Sequence, residues 1–170
     1  MTVKVGQKVP DFVLEAYEDG EIKTINTTEY RGKWLVLFFY PRDFTFVCPT
    51  ELKGFANAHK EFEKFNATVV GVSTDSEHSH KAWFEKDLTE IKYPVLADTS
   101  HALSRAFNVL LDDGRALRGT FIIDPDGYLQ YIVVSNLNVG RSVGETLRVL
   151  QALQTGGLCP IEWKPGQKTL

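Results

Sequence analysis

A chain of 170 residues that is 43% hydrophobic, with only 13 glycines and 7 prolines, fits one compact domain with a full-sized core. Its net charge of −3 and pI near 5.8 leave no basic footprint for nucleic acid or an anionic membrane, which points to a protein or small-molecule partner. Two cysteines do not make a disulfide framework, and the longest apolar run is far too short to span a bilayer.

The opening MTVKVGQKVPDF lacks the apolar core of a secretory signal, so a cytoplasmic setting is expected, where a thiol pair is catalytic or redox-sensing rather than structural. Phe12 to Leu14 and Glu21 to Ile25, split by the turn-like YEDG, predict a short hairpin. Trp34 to Phe39 is an apolar run without alternation, which suits a parallel strand covered on both faces. Then the period changes. Leu52, Phe55, Ala56, Phe62 and Phe65 recur at helical spacing, with Lys53, Lys60, Glu61 and Lys64 on the other face, predicting a helix from Thr50 to Phe65 with Cys48 at its start. Pro49 fits the first helical position, where a missing N–H costs nothing.

Ala67 to Val72 is a second strand, rich in β-branched residues and ending at the cap-like STDS. Helices over Ser76 to Leu88 and Ser100 to Phe107 flank YPVLAD, a loop into a brief strand. Thr120 to Asp124 and Tyr128 to Val134 enclose PDG, a hairpin with turn residues where a tight turn needs them. Ser142 opens the last helix, with Glu145 completing a capping box and Leu147, Leu150 and Leu153 as the apolar stripe; Gly156 and Gly157 end it, leaving Cys159 in a loop or tail. This order predicts an α/β sandwich with the arrangement of a thioredoxin-like fold, a central mixed sheet flanked by helices. The domain would cover residues 1–155 and a C-terminal tail residues 156–170.

A strand-to-helix junction is a chemically useful place for Cys48. Unpaired N–H groups and the helix dipole favour a thiolate, the nucleophilic form. The helix end contributes about 0.3 to 1 kcal/mol, less than the roughly 3 kcal/mol that two pKa units represent, so a reactive thiol there needs a fixed cation. Arginine suits this, because it stays charged when desolvated. A buried cysteine can also be a small hydrophobe, but Thr45, Pro41 and the helix start surround Cys48 with polar and backbone donors. Cys159 alone is as compatible with an incidental role as with a functional one. His78 and His80 lack the companions of a metal set and are read as a polar helix start, DPDG is a turn rather than a calcium loop, and the triplets at Asn26 and Asn66 mean little without a secretory signal.

YPRDFTFVCPTE carries the Pro-x-x-x-Thr-x-x-Cys motif of the peroxiredoxins as Pro41, Thr45 and Cys48, and RGTFIIDPDG and CPIEW resemble the family's later landmarks in the right order. The chain resembles a typical two-cysteine peroxiredoxin, and within that group the bacterial alkyl hydroperoxide reductase peroxidase subunit. The resemblance implies a thiol peroxidase in which Cys48 attacks the peroxide and becomes a sulfenic acid. It implies that Thr45 and Arg118 position the peroxide, that Pro41 shields the pocket, and that Glu51 and Arg141 orient the arginines. Read without it, Arg118 could be a solvated strand end, Arg141 a helix-entrance residue, and Glu51 a favourable charge in its helix's first turn. Cys159 would be the resolving cysteine, acting from the neighbouring subunit to give a disulfide that thioredoxin or a flavoprotein disulfide reductase reduces.

A homodimer follows, and by resemblance a decamer of five dimers, with Phe44 and Trp83 facing a second interface. No cofactor is implied, since sulfur carries the electrons. The chain lacks the Gly-Gly-Leu-Gly insertion and the Tyr-Phe helix of relatives that overoxidise easily, which predicts resistance to sulfinic acid formation. Two other readings stand beside the peroxidase. A thioredoxin-type thiol-disulfide oxidoreductase is disfavoured by Thr45 in place of the first active-site thiol; a redox-linked holdase could coexist with catalysis.

Overall fold

A computed structural model describes residues 2–170. A hairpin of β1 (Val13–Glu18) and β2 (Glu21–Asn26) leads through a 3-10 turn at Thr27–Tyr30 to β3 (Trp34–Phe39). Then come α1 (Cys48–Asn57), α2 (His59–Lys64), β4 (Ala67–Ser73), α3 (Glu77–Asp87), β5 (Val95–Ala97), α4 (Ala102–Ala106), the hairpin of β6 (Arg118–Ile123) and β7 (Leu129–Ser135), and α5 (Val143–Gln154). The strands make one seven-stranded sheet in the order β2-β1-β5-β4-β3-β6-β7. β3, β4 and β5 run parallel, while the β1/β2 hairpin and the β6/β7 hairpin flank them antiparallel, so the sheet is mixed and the fold thioredoxin-like.

The unbroken apolar run of β3 is explained by its central position. Leu35, Leu37 and Phe39 enter one core with Phe107, Val109 and Phe121, whereas Val36, Phe38 and Tyr40 enter the other with Leu52, Phe55 and Leu150. A strand alternates its side chains between two faces, and here both faces need apolar groups. Cys48 belongs to the second core, beneath α1 and α5. β3 and β4 pair in parallel register from Trp34 with Ala67 to Phe39 with Val72, which brings their C-terminal ends to one edge, above which α1 begins.

Several expectations are corrected in detail. The helix expected from Thr50 to Phe65 begins at Cys48 and is interrupted at Ala58, whose φ of −93° and ψ of 2° depart from the helical values. The apolar spacing runs on across that bend, with Phe55 and Phe62 rings 6.0 Å apart, so periodicity could not register it. Pro49 is therefore the second helical residue and Cys48 the first. The capping box at Ser142 is half made: its side chain accepts from the Glu145 N–H at 3.1 Å, while the Glu145 carboxylate pairs with Arg148 instead. After α5, Gly156 takes a positive φ of 68° and the remaining residues run as turns in which Trp163 is buried.

Phe38 joins this framework to what lies above it. It is fully buried, its ring is 4.3 Å from that of Phe55, and the Arg141 guanidinium lies 5.2 Å over its centroid. Phe38→Ala should lower the unfolding free energy by about 3 to 5 kcal/mol, measured by urea denaturation of the reduced protein.

Candidate active site

Four of the residues singled out from the sequence meet at the start of α1. Cys48 occupies the first helical position and is fully buried. The residue before it, Val47, offers no side-chain cap; its carbonyl accepts from the Thr50 and Glu51 N–H groups at 3.0 and 3.4 Å, and Pro49 has no N–H to offer. Arg118, the first residue of β6, sends Nη1 to 3.4 Å from the Cys48 Sγ. Its Nε donates to the Leu137 carbonyl at 2.9 Å, which fixes the plane of the guanidinium.

Glu51 lies one turn after Cys48 on the same face of α1, the spacing that stacks side chains along a helix. Its two carboxylate oxygens are divided between two arginines. Oε1 accepts from Arg118 Nη1, and Oε2 accepts from the Arg141 backbone N–H at 3.0 Å and from Arg141 Nε at 2.6 Å. Arg141, in the loop between β7 and α5, also donates to the Gly119 carbonyl at 2.8 Å, to Thr120 Oγ1 at 3.1 Å and to the Phe39 carbonyl. Its burial pulls the guanidinium below its ordinary pKa, and the Glu51 carboxylate opposes that shift. All three charged side chains are nearly inaccessible to water, with relative exposures of 5%, 2% and 3% for Arg118, Glu51 and Arg141.

Pro41 is buried and, with Thr45, Cys48, Arg118 and Leu137, lines a cavity of about 560 Å3. The Thr45 hydroxyl donates to the Arg42 carbonyl at 2.8 Å, which leaves its oxygen able to accept, and it makes no bond to Cys48. Cys159 is not part of this cluster. Its thiol lies behind α5, 3.4 Å from Thr155 Oγ1 and 3.5 Å from the Ala152 carbonyl, beside a separate cavity of about 540 Å3. Both cysteines are free.

One supporting cluster departs from the sequence expectation. His80 is not a solvated helix start. It is fully buried, with Nδ1 2.7 Å from Asp43 Oδ2 and Nε2 3.0 Å from the Leu96 carbonyl. Asp43 also accepts from the Tyr40 hydroxyl at 2.7 Å and the Ser79 hydroxyl at 2.8 Å, and its N–H donates to Asp75 at 2.8 Å. The Asp43 side pins the loop leading to Cys48. A two-residue spacing sets His78 and His80 about 200° apart around a helix, so only His78 faces solvent. The pattern of His80 with Trp83 and Phe84, three and four residues on, marks it as inward-facing. Among the described residues no group of three or more His, Cys, Asp or Glu side chains could hold a metal ion.

Residues 5–132 match the sequence profile of the AhpC/TSA family. The protein YkuU of Bacillus subtilis (strain 168), which carries a peroxiredoxin designation, is 53% identical over 98% of this chain and 97% of its own length. Among solved structures, the reduced 2-Cys peroxiredoxin of Plasmodium vivax superposes with a TM-score of 0.94 at 37% identity, covering 97% of this chain and 91% of that one. AhpC of Enterococcus faecalis gives a TM-score of 0.89 at 39% identity over 94% of this chain and 100% of that one.

Glu51→Gln should remove the charge that separates two buried guanidinium groups while keeping the side-chain shape. Breaking a buried ion pair costs about 3 to 5 kcal/mol, so the variant should unfold at markedly lower urea than the parent. An unchanged midpoint would mean that the pair is not held in solution.

Proposed function

We propose, for a chain that belongs to the AhpC/TSA family and is thereby a thiol-dependent peroxidase of the typical two-cysteine peroxiredoxin type, that Cys48 is the peroxide-reducing thiol and Cys159 the resolving one. The observation that carries the assignment is the Arg118 Nη1 contact with Cys48 Sγ, 3.4 Å long, at an uncapped helix N-terminus in a cavity open to a small substrate. A cation and the positive end of the helix dipole both favour the thiolate.

The thiolate attacks the terminal oxygen of the hydroperoxide. An S–O bond forms as the O–O bond breaks, sulfur gives up two electrons, and the departing oxygen takes a proton to leave as water or an alcohol. Charge grows on that departing oxygen, and a donor already aimed at the reacting sulfur stabilises it without reorganising. Arg118 takes that part, with Thr45 as a hydrogen-bonding partner on the cavity wall and Pro41 closing the wall against bulk water. Glu51 and Arg141 are positioning residues: one divides its carboxylate between the arginines, and the other anchors that carboxylate to β6 and β3.

Resolution needs movement. A fully buried thiol at the first helical position cannot meet a sulfur behind α5 until the segment from Asp43 through the first turn of α1 leaves its place. Cys159 of the partner subunit then attacks the sulfenic sulfur, water departs, and the interchain disulfide is returned to two thiols by thioredoxin or a flavoprotein disulfide reductase. A homodimer, associating into a decamer of five dimers, and a cytoplasmic setting, where thiols are kept reduced, complete the proposal. Phe44, exposed and with its ring 5.6 Å from that of Trp83, would contribute to that second interface, whereas Trp83, expected there as well, is buried within the chain. Among the described residues no helix is long and apolar enough to cross a membrane.

One equivalent of hydrogen peroxide per reduced chain should convert the protein to a covalent dimer, read by intact mass without reductant and reversed by dithiothreitol. Cys159→Ser should stop at a monomer with one added oxygen on Cys48, and Cys48→Ser should be inert; a reactive Cys48→Ser variant would overturn the assignment. Arg118→Met should lower kcat/KM for hydrogen peroxide on the order of a hundredfold to a thousandfold, the scale of losing an oxyanion donor.

With only Leu88 to Pro94 between α3 and β5, and no Gly-Gly-Leu-Gly insertion there, little structure holds Cys48 away from its resolver. Turnover in modest peroxide excess should therefore leave activity intact, and a Cys48 peptide that gained two oxygens would contradict this.

A further inference from the structure

The cavity that reaches Cys48 is larger and more cationic than hydrogen peroxide requires. At about 560 Å3 it exceeds by an order of magnitude the roughly 30 Å3 that a water molecule occupies in the liquid, so a substrate with a sizeable organic group fits. Its walls carry three arginines, Arg42, Arg115 and Arg118, and no carboxylate.

The three charges are not equally available. Arg118 is turned inward to Cys48 and Glu51. Arg115 is paired with Asp113, which accepts from its Nε at 2.8 Å and its Nη2 at 2.6 Å. Those bonds hold the Asp113 carboxyl below its ordinary pKa, and the charge of Arg42 adds to the effect, which places Arg42 within electrostatic reach of the same rim. The Arg42 side chain itself is exposed and, among the described residues, makes no hydrogen bond or ion pair; its backbone carbonyl alone is engaged, by Thr45. An arginine whose guanidinium forms no direct ion pair, its acidic neighbour Asp113 being taken up by Arg115, is poised at the mouth of a cavity for a carboxylate, which its planar fork can bind with two parallel hydrogen bonds.

We propose that Arg42 selects organic hydroperoxides that carry a carboxylate, whose peroxide end lies at Cys48 while the carboxylate meets the guanidinium at the rim. The proposal rests on Cys48 being the peroxide-reducing thiol. The reacting bonds are unchanged: the alkyl hydroperoxide becomes the corresponding alcohol, and the carboxylate takes no part in the electron transfer. Attraction at an exposed rim is screened by salt, so the preference must weaken as ionic strength rises.

The test uses the full-length reduced protein with three substrates: hydrogen peroxide, a tertiary alkyl hydroperoxide bearing a carboxylate, and the methyl ester of that same compound. The quantity read is the ratio of kcat/KM for the acid to that for the ester. It should be about fivefold in the parent at low salt and fall toward one in about 0.5 M salt. Arg42→Gln should bring it to about one even at low salt, and Arg42→Lys should keep most of it. A parent ratio near one, or an undiminished ratio in Arg42→Gln, overturns the proposal. A parent that turns over hydrogen peroxide with a ratio near one loses only the role of Arg42, whereas a parent inert toward hydrogen peroxide loses the assignment of Cys48 on which it rests.

Discussion

A single carboxylate, that of Glu51, holds apart and holds in place two buried arginines, and the geometry around Cys48 depends on it. Arg118 reaches the sulfur only because Glu51 stands one helical turn below and takes the same Nη1. Arg141 makes the site continuous with the sheet, tying the carboxylate to carbonyls of β3 and β6. Two guanidinium groups against one carboxylate leave one positive charge in a place water barely reaches, and the guanidinium that carries part of it lies 3.4 Å from the Cys48 sulfur.

The loop before α1 is fastened from the opposite side. Asp43 gathers the Tyr40, Ser79 and His80 side chains into one buried network, and His80 completes it by donating from Nε2 to a backbone carbonyl of β5, a group that can only accept. The Nδ1 of His80 lies 2.7 Å from the Asp43 carboxylate. Every member has a partner, the condition under which a polar network inside a core specifies one conformation rather than weakening it. The segment carrying Pro41, Thr45 and Cys48 is thus held between two polar clusters, one at each end. Neither alone decides where the thiol points.

What the amino-acid order made legible follows from how local each interaction is. The unalternating β3 run, the apolar face of α1 and the turn chemistry at Asp124 to Gly127 are short-range patterns, and strands and helices form where they indicate. Cys48 at a helix start was readable from Pro49 and the change of period, whereas Glu51 read by itself was only a favourable charge in the helix's first turn, and its part in the site came from the resemblance. Arg118 and Arg141 entered through family resemblance, because nothing in their neighbourhoods states that β6 and the β7–α5 loop converge on α1. The Asp43–His80 link spans 37 positions and crosses from a loop to a helix, so composition could not announce it. Its trace was present in the spacing of His80 to Trp83 and Phe84. The bend at Ala58 left no trace, since the apolar period continues through it.

Phe44 takes a φ of 57°, in the left-handed region that bulky side chains avoid. Such a backbone conformation costs on the order of 1 to 3 kcal/mol and persists only where its surroundings enforce it, here Asp43 on one side and the packing of its ring against Trp83 on the other. If the segment carrying Cys48 leaves its place during resolution, as proposed, Phe44 would be released into ordinary backbone space, and that relief would offset part of the packing energy that opening gives up. The loop would then behave as a cocked spring, whose release needs less work than its burial alone suggests and whose return to the closed form must wind it again.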